Sequence, residues 1–363
     1  MGKTARENLN RILIEHLNTI HETFQVLDHA PDSSHEKVSW EEVIKMGDQV
    51  SKQATIAGML WTGERPEVKE LEENMAIYFN TLQGFLLLSH GSKVGAGPTL
   101  YSCMHSSVKR VVDSSFMLFK ESVSLYGSHN KDQILSIPQL VGTVWEACSA
   151  LKKSPSTNIT AIGRAMTQVA VSMKDVLREI KELKPASMDE ASEEPSLKKA
   201  ESEPHDSDNS SGGELGNDLS PEDMKFAQLA SGVVSDALVV IKELIRSITA
   251  LLRQENQDKS NDFVNSLERL LKLCQEIGIQ VDMLGACLYP PQEFPHMKAA
   301  AGKIWSNVQE LQAEVDHLKG GSSETLSQAC TRLRDSVAQI ESELLVGMSH
   351  ELVPKMEKLD MEG

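Results

Sequence analysis

The sequence predicts an all-α protein, and three observations carry that expectation. Leu, Ala, Glu, Lys, Met and Ser recur throughout, while Gly (22) and Pro (13) are few for 363 residues; this mixture favours helices over strands and turns. Apolar residues recur along long segments at alternating spacings of four and three, the seam of helices packed side by side as a bundle. No segment sustains the strict alternation of a half-buried strand, so no sheet is expected. At ~150 residues per domain, the length suggests about two domains, each with enough chain for a core.

The first half reads as five or six helices. The first spans roughly Thr4 to Asp28 and buries Leu9, Leu13, Leu17, Ile20, Phe24 and Leu27. The second opens with Ser39-Trp40-Glu41-Glu42, a capping box in which Ser and Glu each satisfy a backbone N–H of the other; it ends near Gly63. The third, from Pro66, carries Leu71, Met75, Tyr78, Phe79, Leu82 and Leu86 and is apolar nearly all round at its end, which predicts an enclosed position. The fourth follows Gly97-Pro98-Thr99 and aligns Met104, Val108, Val112, Phe116, Phe119, Val123 and Tyr126. A shorter fifth runs from Pro138 to Leu151. The sixth has a strict heptad: Ile162, Met166, Val169, Met173, Val176, Ile180, Leu183.

The second half has the most regular pattern. Ser220-Pro221-Glu222-Asp223 reads as an N-cap, a proline at the first helical position and two acids in the first turn. Four stripes follow: Phe226 to Leu251, Phe263 to Leu288, Met297 to Leu318 and Leu326 to Leu344, separated by short connections such as Pro290-Pro291 and Gly320-Gly321. Short connections place sequential helices antiparallel, so four helices in up-down order are expected. Between the halves, residues 185–220 hold ten acidic and two basic residues, a net charge of −8, and no Val, Ile or aromatic side chain. Such a stretch buries too little apolar surface to offset the entropy of ordering and reads as a disordered linker. The expected organisation is therefore a bundle over 1–184, an acidic Ser-rich linker over 185–220, and a four-helix bundle with a short tail over 221–363.

Composition also narrows function. The net charge is −17 and aromatic residues are 4% of the chain, which argues against nucleic acid as a direct partner, since phosphates need a basic face and single strands need stacking platforms. The amino terminus shows no signal-peptide core, and no stretch approaches the ~20 uninterrupted apolar residues of a membrane span, Phe85 to Leu88 being a rich run of only four, so neither export nor a membrane span is expected. The five cysteines, Cys103, Cys148, Cys274, Cys287 and Cys330, are odd in number and form no Cys-x-x-Cys pair, as in a reducing compartment without a zinc site.

Apparent chemical motifs mostly dissolve. Gly91 to Gly97 looks like a phosphate cradle, but it lacks the Gly-Lys-Ser/Thr ending of a P-loop and the third glycine of a dinucleotide fingerprint, leaving a helix connection. His21-Glu22, His35-Glu36 and His350-Glu351 have no second histidine at the offset that would place two imidazoles on one helical face. Cys274 and Cys330 fall in phase with the apolar seams and read as core residues. No catalytic residue, cofactor or metal site is expected, and the chain is not read as an enzyme. Arg11-Ile12-Leu13-Ile14 has the form of a cyclin-docking peptide, yet Leu13 is in phase with the buried stripe. Trp61, beside Gly63, and the corner Tyr289-Pro290-Pro291 are candidate partner contacts, with a packing role and a helix stop as the alternatives. Ser187, in an acidic context, and Ser220, followed by proline, are candidate phosphosites.

Val144-Trp145-Glu146-Ala147-Cys148 before a long Met/Val heptad helix, Leu288-Tyr289-Pro290-Pro291 between two C-terminal helices, and the order of helical half, acidic linker and four-helix half together resemble the cyclin-D-binding family, also called cyclin-D-interacting or Id-like helix-loop-helix-binding proteins. The resemblance implies two antiparallel bundles of the vinculin, talin and α-catenin kind. It also implies a non-enzymatic regulator in nucleus and cytoplasm that binds D-type cyclins or helix-loop-helix transcription factors and restrains cell-cycle progression. It supplies no contact residue. The competing class is a cytoskeletal adaptor, by analogy of fold.

Overall fold

The computed structural model describes residues 2–26, 37–62, 67–127, 135–185, 218–251, 261–318 and 323–360. The fold is all-α. Its helices are α1 Gly2–Val26, α2 Trp40–Trp61, α3 Val68–Ser92, α4 Pro98–Leu125, α5 Ser136–Leu151, α6 Asn158–Glu182, α7 Pro221–Leu251, α8 Asn261–Ala286, α9 Phe294–His317 and α10 Glu324–Asp360. Among the described residues, extended pairing is confined to β1 Lys184–Pro185, which runs parallel to β2 Asp218–Leu219. The expected disorder of the acidic linker concerns 186–217, outside the described residues, as does Ser187.

Contacts divide the chain into one unit of Met1–Ile162 with Gln254–Glu268 and another of Gly163–Arg253 with Arg269–Gly363. In the first, α2 packs on α3 and α5, α1 on α3 and α4, and α4 on α5. The capping box at Ser39 forms in both directions. Leu9, Leu13, Val50, Leu82, Phe85 and Val144 are all but fully enclosed, so Leu13 is core and the docking-peptide form of residues 11–14 is incidental. The centre is aromatic: Phe119 lies 4.6 Å from Tyr78, 5.1 Å from Phe79 and 6.2 Å from Trp61, mostly tilted or edge to face, the arrangement that ring quadrupoles favour. The Tyr78 hydroxyl pairs with Ser115 Oγ at 2.8 Å, and burial pushes its phenol well above the ordinary range. Helices α2 and α5 approach closely because α2 offers glycines there: a Cβ at Gly58 would stand 2.7 Å from Val141 Cγ2. The end of α3 is less enclosed than its composition suggests, for Leu87 faces outward at 57% exposure.

In the second unit, α10 packs on α7 and α9. The seams read from the sequence are buried: Val233, Val240 and Leu244 on α7, Leu270, Ile277 and Val281 on α8, Ile304 and Val308 on α9, Leu333 and Ile340 on α10. Cys274 and Cys330 are core residues, and burial pushes their thiols up to about 12 and about 11. α7 is long and apolar enough by composition to cross a bilayer, but half of its most apolar window is buried inside the protein, the pattern of a core helix. The sixth helix meets α8 through glycines one heptad apart. Cβ atoms at Gly278 and Gly285 would lie 3.0 Å from Val169 Cγ1 and 2.9 Å from Val176 Cγ1. The bulk that would hold two helices apart is absent at both positions, so residues of α6 from Gly163 onward cluster with the second unit.

Candidate partner-binding site

The first turn of α4, just after the glycine-rich stretch, binds an anion supplied by the chain itself. Pro98 occupies the first turn of α4 and Gly97 its N-cap. The Thr99 N–H donates to Glu268 Oε1 at 2.9 Å and its hydroxyl to Oε2 at 2.7 Å, a carboxylate where free N–H groups and the helix dipole favour one. Asn158 completes the seal: its Oδ1 accepts the Gly97 N–H at 2.8 Å and its Nδ2 donates to the Gly95 carbonyl at 2.9 Å. Only glycine fits twice over, at Gly95 because φ is +72° and at Gly97 because a Cβ would fall 2.6 Å from Val264 Cγ1. With the Gly97 and Thr99 N–H groups engaged by Asn158 and Glu268, the stretch serves as a sealed helix connection.

The sequence-derived partner residues separate. Trp61 is 7% exposed; its indole N–H points to Asn74 Oδ1 at 3.4 Å and its ring meets Phe119 edge-on. Trp61 lies on the inward face of the last turn of α2, so this tryptophan packs against the core. Tyr289 is 40% exposed, and Pro290 and Pro291 are exposed beside it. Gln292 holds the corner by donating to the Leu288 and Asp223 carbonyls at 3.0 and 3.3 Å. Through Asp223 the corner adjoins Ser220, which caps α7 as expected. Ser220 Oγ accepts the Asp223 N–H at 3.1 Å, while Asp223 Oδ2 accepts from the Ser220 N–H and hydroxyl at 3.2 and 2.7 Å.

That reciprocal cap decides what a phosphate at Ser220 would do. A phosphate at Ser220 gains from the helix dipole, but it must displace the Asp223 carboxylate or lie against it. Phosphorylation at Ser220 is therefore expected to lower the urea midpoint of the full chain, whereas Ser220→Ala costs about 1 kcal/mol through the lost cap. A raised midpoint for the phosphorylated chain contradicts this.

Tyr289 also borders a groove between the C-terminal halves of α6 and α8, with a volume of about 270 Å³. Val176, Ile180, Leu183, Gly285 and Ala286 form its apolar walls, and two carboxylates, Glu179 and Asp282, face into it. Burial first and the Glu179 charge second push the Asp282 carboxyl above the ordinary carboxylate range. Two residues of α8 beside this groove are exposed apolar side chains one turn apart, Ile279 at 51% and Met283 at 47%.

A second apolar surface lies in the other unit and includes a residue outside the sequence-derived candidates. Trp145 on α5 is 46% exposed, with Ile56 and Met59 of α2 exposed at 44% and 72%, and its indole N–H donates to Thr55 Oγ1 at 3.1 Å. Its phase shows this role: Ile137, Val141, Val144, Cys148 and Leu151 form the buried seam, and Trp145 stands one position off it. A wider groove of about 520 Å³ between α4 and α5 carries charges of both signs, Lys120 and Glu121. Among the described residues, no group of His, Cys, Asp or Glu could hold a metal ion.

Comparison with known proteins matches both parts of the chain. Residues 42–186 fit the model of the N-terminal region of Grap2 and cyclin-D-interacting proteins, and residues 204–313 that of the C-terminal region. The Val144–Cys148 and Leu288–Pro291 motifs fall within these matches. Cyclin-D1-binding protein 1 homolog of Xenopus laevis is 24% identical over 219 residues, which cover 60% of this chain and 61% of that protein. The chain thus aligns with somewhat under two thirds of that relative's length. From these matches across both halves, the chain belongs to the Grap2 and cyclin-D-interacting family.

Proposed function

We propose that the chain is a non-enzymatic regulator that binds a D-type cyclin, working in nucleus and cytoplasm to restrain cell-cycle progression or transcription. The observation that carries this reading is the family match through both halves, joined to a relative named for binding cyclin D1. The chemistry of the surface agrees with it, because exposed Trp, Met and Ile side chains on helices, with Tyr289 at a helix corner, are of the kinds that anchor protein interfaces. Helix-loop-helix factors are a finer alternative that the relative's name does not support, and a cytoskeletal role has only fold analogy behind it. The decisive experiment offers the full chain to purified D-type cyclin, to a helix-loop-helix factor and to filamentous actin in parallel pull-downs. Retention of the cyclin alone is expected; retention of actin and not of cyclin reverses the assignment.

A further inference from the structure

The groove between α6 and α8 combines three features. Its walls are apolar, with Val176, Ile180 and Gly285 as the floor and Tyr289 at one end. Ile279, Met283 and Ala286, at i, i+4 and i+7 of α8, continue as an exposed apolar stripe along its flank. Such spacing matches the face that a docked helix covers. At the seam between floor and stripe stand Glu179 and Asp282, and among the described residues no Lys or Arg pairs with either. Two like charges at the mouth of a partly apolar groove, both exposed in the unbound chain, repel each other, and an incoming cation relieves that repulsion. The net charge of −17 acts in the same direction at long range by drawing basic partners toward the chain.

We propose that this groove docks an amphipathic helix of the partner protein whose apolar face carries one lysine or arginine. The apolar residues of that helix cover Ile279, Met283 and Ala286. The aliphatic stem of its basic residue runs over Val176, Ile180 and the Tyr289 ring, and the cation sits between Glu179 and Asp282. A purely acidic or purely apolar helix leaves the two carboxylates buried without a counter-charge. The proposal rests on the binding role given above and names its site and the chemistry that site selects.

Two probes test it on the full chain. The first is a pair of amphipathic helical peptides identical except that a lysine in the apolar face of one is norleucine in the other. The lysine peptide is expected to bind at least tenfold more tightly, and the double variant Glu179→Gln/Asp282→Asn is expected to abolish that preference. The second is purified D-type cyclin, whose affinity should fall at least tenfold in the double variant and in Tyr289→Ala, and stay unchanged in Leu87→Ala, a substitution of an outward-facing residue of the first unit. The thermal midpoint of the double variant should hold or rise, because neutral amides remove the repulsion; a purely structural pair would lower it. Equal binding of the two peptides, or undiminished cyclin binding by the double variant, overturns the groove. If the wild-type chain ignores cyclin but prefers the lysine peptide, the groove stands and the choice of partner falls.

Discussion

Phe119→Ala should cost the first unit about 3–5 kcal/mol, the range for removing a fully buried aromatic ring from a core that cannot collapse onto the gap. Phe119 is fully enclosed, and Tyr78, Phe79 and Trp61 all rest on its ring. These neighbours come from α2 and α3 and are held at their backbones by helices, so they cannot close the space. The spread of measured values at fixed chemistry reflects how well a site relaxes, and this one has rings on several sides. In a unit of this size the loss corresponds to a drop on the order of 10 °C in thermal midpoint. Phe119→Leu, which refills part of the volume, should recover more than half. A drop of under 1 kcal/mol for the alanine variant, by urea unfolding followed with tryptophan fluorescence, means that the aromatic cluster is not the centre of the core.

Asn158→Ala is expected to cost about 2–4 kcal/mol, because it orphans two buried backbone groups at once. The Gly97 N–H loses its acceptor and the Gly95 carbonyl its donor, in a site where Asn158 is 3% exposed. Asn158→Asp keeps the acceptor but sets a second oxygen against the Gly95 carbonyl, so it should recover little at neutral pH. Hydrogen exchange reads the effect locally: the Gly97 amide should exchange faster in Asn158→Ala. An unchanged rate there would show that the loop is held by Glu268 alone.

Helices and seams were legible in the sequence because they depend on local period. The alternation of four and three over Phe226 to Ile248, or over Met297 to Val315, needs only its own segment to be read, and those residues are buried. Caps were legible for the same reason: Ser39 and Ser220 bond within three residues. What was missed depends on distant neighbours. Trp61, at a helix end beside a glycine, looked exposed, but α3 and α4 close over it. The outward face of Leu87 could not be told from an apolar run. The pairing of Glu179 with Asp282, and of Thr99 with Glu268, joins residues far apart in the chain, and no local pattern signals which carboxylate meets which groove or helix end. The exposure of Tyr289 is legible because a proline corner interrupts a seam, and that of Trp145 follows from its phase, one position off the buried seam of α5.

The two-residue pairing of Lys184–Pro185 with Asp218–Leu219 sets the ends of the intervening chain side by side, one residue after Leu183, which lines the groove near Tyr289. Lengthening the chain between two paired ends adds little cost, since each doubling costs only about 0.6 kcal/mol in closure entropy. The interval 186–217 is therefore a natural insertion port. A reporter domain or a fluorophore pair spliced into it would join the second unit through the paired residues Pro185 and Leu219, the first of them two positions from the groove residue Leu183, so that partner docking could be followed optically.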